Sequence, residues 1–165
     1  MANGMNAPDL PPLERWLAEQ ACRDCIVRAG AALDAGDYDA FTRHFTNDAT
    51  LMRPNAAVLK GHDDILASYR AKAPGRRTHH LITNIVVDLQ SSTTAYASSV
   101  VLLWSATTDK LAANRDDTAT DAPYGLRADA RQLLGEFEDR LEMQENDWLI
   151  KARTSRFVMF RDTPL

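Results

Sequence analysis

Between Arg76 and Val87 the chain reads Arg76-Arg77-Thr78-His79-His80-Leu81-Ile82-Thr83-Asn84-Ile85-Val86-Val87. No other stretch sets titratable groups inside a run that otherwise looks like a buried strand. Its β-branched, apolar tail suits a pleated, half-buried surface. Side chains on a strand alternate between faces, so His80, Ile82, Asn84 and Val86 are expected on one face. His79, Leu81, Thr83, Ile85 and Val87 are expected on the other, as an apolar outward surface. A histidine and an asparagine separated by an isoleucine on one face can both reach into a cavity, where the sheet encloses one.

The surrounding pattern supplies one. Pro11-Pro12 opens a long helical repeat through Leu13, Trp16 or Leu17, Ala21, Cys25, Ala29 and Ala32-Leu33, with proline suited to a helix start. Gly36 ends it and Asp37 caps a short second helix carrying Tyr38, Phe41 and Phe45. Thr46-Asn47-Asp48 reads as a turn, and Ala49 to Arg53 as a strand stopped by Pro54. His62-Asp63-Asp64 begins a third helix that ends at Pro74-Gly75.

Strands follow: the His80 strand to Asp88, Thr94 to Ala106, Leu133 to Gln144, and Trp148 to Phe160. Three helices before a long, mostly antiparallel sheet make an α+β fold with the helices on one face. Long strands twist and coil. A strongly curved sheet under helices encloses a cone with a mostly apolar hollow, the form small-molecule sites take.

With 165 residues, the chain suffices for one domain with a sizeable core, expected over 13–162 after a flexible leader, 1–12. Residues 107–132 are polar and aperiodic, either a flap over the pocket or an arm toward a partner subunit. The net charge of −4, with both signs interspersed, argues against nucleic acid as a partner. No apolar run approaches membrane-spanning length and the first residues lack a signal-peptide pattern, so a cytoplasmic protein is expected. Cys22 and Cys25 form a C-x-x-C inside helical patterning without a second ligand pair, and read as buried reduced thiols. No metal-binding motif appears, and no cofactor is expected.

Two carboxylates stand out. Asp34 sits in the last turn of the first helix, where the helix dipole gives an anion no support. The sharper reading pairs it with His80, because a carboxylate orienting an imidazole makes a general acid or base. Asp139 shares the buried face of its strand with Gly135, Phe137, Leu141 and Met143. A buried charge there requires a partner, Arg153 or Arg156 on the next strand.

Element order and motifs together resemble the SnoaL-like branch of the nuclear transport factor 2-like (cystatin-like) superfamily. The motifs are Leu33 to Phe41, Phe45-Thr46-Asn47-Asp48-Ala49, Gly61-His62-Asp63-Asp64-Ile65, Thr78 to Asn84, Gly135-Glu136-Phe137-Glu138-Asp139 and Asp147-Trp148-Leu149-Ile150. The resemblance covers residues 14 to 160 and implies a cone-shaped α+β barrel, with homodimers or larger homo-oligomers formed through the sheet. Scytalone dehydratase is similar at its helix-end aspartate, which falls on Asp34, and at its Arg-Thr-x-His histidine, which falls on His80. Its neighbouring tyrosine, second histidine, serine and asparagine fall on or near Leu33, Leu103, Gly135 and Phe137, so its hydroxyl-polarising groups are replaced.

The first expectation is a cofactor-independent lyase, isomerase or hydratase acting on a small apolar or aromatic molecule. Asp34 and His80 would transfer protons and Asn84 would hold a polar atom. Met52, Leu103 and Phe137 would form the wall, and Tyr38 and Asp139 would complete the substrate contacts. The alternative is a non-catalytic ligand-binding or assembly module similar to the β subunit of aromatic-ring-hydroxylating dioxygenases.

Overall fold

The computed structural model describes residues 9–72, 75–107 and 128–162. Most of the 107–132 segment and of the 1–12 leader therefore lies outside the described residues. Helix α1 (Pro12–Ala35) starts at the diproline and ends where Gly36 adopts φ 74°. There the backbone N–H groups of Gly36 and Asp37 donate to Leu33 and Ala32 carbonyls at 3.1 and 3.0 Å. Asp37 accepts from the Ala40 N–H at 2.8 Å and caps α2 (Tyr38–Arg43). After β1 (Phe45–Met52) and β2 (Val58–Lys60) comes α3 (Gly61–Arg70). Four long strands complete the fold: β3 (Arg76–Leu89), β4 (Thr94–Thr107), β5 (Arg131–Gln144) and β6 (Asp147–Asp162).

The strands form one curved, unclosed sheet in the order β2-β1-β6-β5-β4-β3, antiparallel except where β1 runs parallel to β6. The helices pack on one face of it, as the α+β reading expects. Two boundaries differ from the sequence reading. Phe45 and Thr46-Asn47-Asp48 belong to β1 rather than to a helix and a turn, and Val58–Lys60 is a strand. Phe45 pairs with Ile150 on β6, and an irregularity separates it from the Thr50–Ala152 pair. Pairing across the sheet overrides the local turn signal of Thr46-Asn47-Asp48.

Cys22, Cys25, Ile26, Ala29 and Leu33 form the buried stripe of α1, at steps of three and four. Leu13, Trp16 and Leu17, which continue that stripe in sequence, are exposed. Both thiols are buried and unpaired, and burial above all pushes each up to about 12. Gly30 lets α1 lie close on β3, since a Cβ there would come within 2.6 Å of Ile82 Cδ1. One turn later, that close approach brings Asp34 to the strand. Among the described residues no helix is long and apolar enough to cross a membrane.

Candidate functional site

The chain rule of alternating faces holds along β3 only as far as Ile82. Between Thr83 and Val86 the register against β4 shifts, and Asn84 adopts φ 51° in the left-handed region. An extra residue in one strand of a pair is a β-bulge, and it exchanges inward and outward positions beyond it. Thr78, His80 and Ile82 therefore point inward, and after the bulge Val87 and Leu89 do so. Asn84 is exposed, and Val86 is 63% exposed. The expected shared face of His80, Asn84 and Val86 is thus corrected, as is the outward placing of Ile85 and Val87. Asparagine is among the few residues that tolerate a positive φ, a weak signal of the bulge.

His80 meets Asp34. The Asp34 Oδ1 lies 2.5 Å from His80 Nδ1, and Oδ2 accepts the His80 backbone N–H at 2.7 Å. The Thr78 hydroxyl donates to Oδ1 at 3.2 Å. Burial would push the Asp34 carboxyl up, but the His80 side chain, its backbone N–H, its charge and Thr78 together hold it below the usual range. A carboxylate can only accept, so Nδ1 carries the proton that the pair shares. In the neutral ring this leaves the lone pair on Nε2, which has no hydrogen-bond partner among the described residues.

The His80 ring lines a half-open cavity of about 530 Å³ between the helices and the sheet. Leu33, Phe41, Val101, Leu103, Leu133 and Phe137 supply much of its apolar wall. Gly135 lies against the next strand: a Cβ there would come 2.8 Å from the Arg156 carbonyl oxygen. Of the expected contacts, His80, Leu103 and Phe137 line this cavity, with Asp34 behind His80. Tyr38 stands outside the lining, its ring 6.0 Å from that of Tyr69, and Met52 is 39% exposed and outside it too. Asn84 is not among its lining residues and sits in the bulge, exposed.

Asp139 lies behind the wall. Its oxygens accept from Arg153 Nε and Nη2 at 2.7 and 2.8 Å, while Arg156 pairs with Glu136 and Glu138 instead. The Arg153 guanidinium carbon lies 4.3 Å from the centroid of the Phe137 ring and 5.7 Å from that of Phe45, and Arg153 itself lines the cavity. Arg153 faces inward because β6 also carries an irregularity. Arg140 pairs with Ala152 but Leu141 with Ile150, which leaves Lys151 as the extra residue. Unbroken alternation from buried Trp148 and Ile150 would have turned position 153 outward.

Three further cations reach the cavity without having been singled out from sequence: Arg53, Lys72 and Arg76. They come from the end of β1, the turn after α3 and the start of β3, so no motif joins them. Among the described residues no group of three or more His, Cys, Asp or Glu could hold a metal ion.

The SnoaL-like domain family matches residues 14–154. No curated protein matches the sequence. Among solved structures, a scytalone dehydratase-like protein of Novosphingobium aromaticivorans DSM 12444 is similar, with TM-score 0.74 and 18% identity over 94% of this chain and 93% of that one. The hexachlorocyclohexane dehydrochlorinase LinA-type3 of Novosphingobium barchaimii LL02 gives TM-score 0.72 and 14% identity over 92% and 94%. An aromatic ring hydroxylase-like protein from Novosphingobium aromaticivorans gives TM-score 0.69 and 20% identity over 93% and 96%. At these identities the likeness establishes the shared fold.

Proposed function

We propose, since this chain belongs to the SnoaL-like domain family, that it binds a small ring compound and acts on it as a lyase or isomerase through Asp34 and His80. The observation that carries this reading is the 2.5 Å contact between Asp34 and His80 on the wall of an apolar cavity. His80 Nε2 takes a proton from a carbon of the bound molecule, and Asp34 supports the charge gained by the ring. In an elimination the C–H electrons form the new double bond, and the leaving group departs with its bonding pair. In an isomerisation the same proton returns to another carbon.

Two of the similar structures bear names, dehydratase and dehydrochlorinase, for reactions that remove a proton and a leaving group. The test is a screen of one- and two-ring β-hydroxy and β-halo carbonyl compounds for elimination. His80→Ala should lower turnover by ~10²–10⁴-fold, the usual worth of a positioned acid or base, and leave the melting temperature nearly unchanged. A variant as active as the unaltered protein would sink the reading.

A second reading has its own observation. Phe157, Val158, Met159 and Phe160 run consecutively along β6 at 40–64% exposure. Apolar surface of that kind fits an assembly interface, by which the chain would form a homo-oligomer or serve as a non-catalytic module. Light scattering on the purified chain tests it, and a monomer at high concentration counts against it.

A further inference from the structure

The charges around the cavity do not balance. Among the described residues its lining includes Arg53, Lys72, Arg76, Arg153 and Arg156, and no Asp or Glu. Arg153 is answered by Asp139, and Arg156 by Glu136 and Glu138. Among the described residues no carboxylate pairs with Arg53, Lys72 or Arg76. The chain as a whole carries −4, so this local excess of positive charge is not a reflection of composition.

Arg76 is exposed, but Arg53 and Lys72 are half-buried and held by neighbours. Arg53 donates to the Ser68 hydroxyl at 2.9 Å and its guanidinium carbon sits 5.5 Å from the Tyr69 ring centroid. Lys72 Nζ approaches the same centroid at 4.4 Å and that of Tyr38 at 5.8 Å. Aromatic faces hold both cations in place. Burial first, then Arg53 and Arg76, push the Lys72 ammonium down to about 8, against a smaller upward pull from Asp34. An anion delivered to this cluster relieves that repulsion, and its placement requires little reordering of the protein.

We propose that the cavity is selective for a carboxylate-bearing ring compound, its carboxylate held by Arg53, Lys72 and Arg76 and its ring against the apolar wall. The proposal rests on the reading of this cavity as a small-molecule site and names the class of molecule that fills it. A planar carboxylate matches the guanidinium fork, and a cavity of about 530 Å³ admits a one- or two-ring body.

The experiment measures binding of 2-naphthoate, 2-naphthamide and inorganic phosphate to the full chain by titration calorimetry. The carboxylate should bind about tenfold or more tightly than the amide, as expected for charge-assisted hydrogen bonds. High salt and the Lys72→Met/Arg76→Met double variant should each shrink that preference, while the double variant keeps its affinity for the amide. The preference should also decline above pH 8 as Lys72 loses its proton among Arg53, Arg76, Asp34, Tyr38 and Tyr69. Arg53→Gln provides a second variant if the double variant melts early. Equal affinity for acid and amide, an undiminished preference in both variants, or phosphate binding as tightly as naphthoate would overturn the proposal. His80→Ala should keep the preference, which separates the two readings. Carboxylate selectivity with turnover indifferent to His80 defeats only the catalytic reading, and His80-dependent turnover without selectivity defeats only this one.

Discussion

Two carboxylate–base pairs stand near one cavity and differ in nearly everything but their chemistry. Asp139 and Arg153 are sealed, with side chains 1% and 4% exposed, two charge-assisted bonds between them and two aromatic rings near the guanidinium. Asp34 and His80 keep 13% and 12% exposure, and the imidazole has one nitrogen uncommitted. A pair closed on both partners can hold strands together but has little left to offer a ligand. A pair closed on one partner only is an oriented, unfinished hydrogen-bond chain, and chemistry needs that unfinished end.

The comparison is most easily broken at the sealed pair. Asp139→Ala strands a buried guanidinium and should cost about 3–5 kcal/mol in urea unfolding. Joint replacement by Asp139→Leu and Arg153→Met should cost much less, because neither charge remains uncompensated. Equal losses in the two variants would mean that Arg153 is wetter than its burial shows.

At the open pair the stability effect should be smaller. Asp34→Asn keeps one acceptor and loses charge-assisted bonds, for a cost of about 1 kcal/mol. Its elimination or isomerisation activity should nonetheless fall with that of His80→Ala.

Acid titration sharpens the distinction. The folded Asp34 carboxyl lies below the ordinary carboxylate value of 3.8, so its contribution is fully present above that value. It is lost as pH falls through the folded value. Asp34→Asn should therefore flatten the acid limb of stability below pH 4, measured by melting at successive pH values. An unchanged acid limb would remove Asp34 from that account.

The smallest effect concerns the thiols. Cys25 lies close enough to Arg153 and Asp139 to feel both charges, and its S–H donates to the His44 carbonyl at 3.6 Å. With thiols pushed up to about 12, Cys22 and Cys25 should resist iodoacetamide at pH 8 in the folded protein. Asp139→Ala should speed labelling of Cys25, whereas Asp34→Asn should leave it slow, as read by mass spectrometry.

Much of the scaffold was legible before any coordinates. The diproline start, the Gly36 stop and the Asp37 cap are local devices whose physics lies within a few residues. Long β-branched runs broken by short polar turns announced the hairpins. Asp139 was legible as a charge needing a partner, because alternation placed it among Gly135, Phe137 and Leu141. Asp34 and His80 were singled out by an anion at the wrong helix end and an imidazole within a strand, and were paired on that ground before the family resemblance fell on the same two positions.

What escaped has a common cause. Period-two reasoning carries along a strand only until a residue is inserted, and whether one is inserted depends on how two strands fit. The bulge at Asn84 removed an expected cavity contact, and the one at Lys151 brought Arg153 inward. Arg53, Lys72 and Arg76 are separated by connections with no shared motif, and only the folding of β1, α3 and β3 around the same hollow brings them together. The amino-acid order thus determined which segments become helix or strand and where they stop, since those choices are made by neighbours in the chain. Tertiary structure alone decided which side chains face the cavity and what charge it carries, because both depend on register and distance between segments remote in sequence.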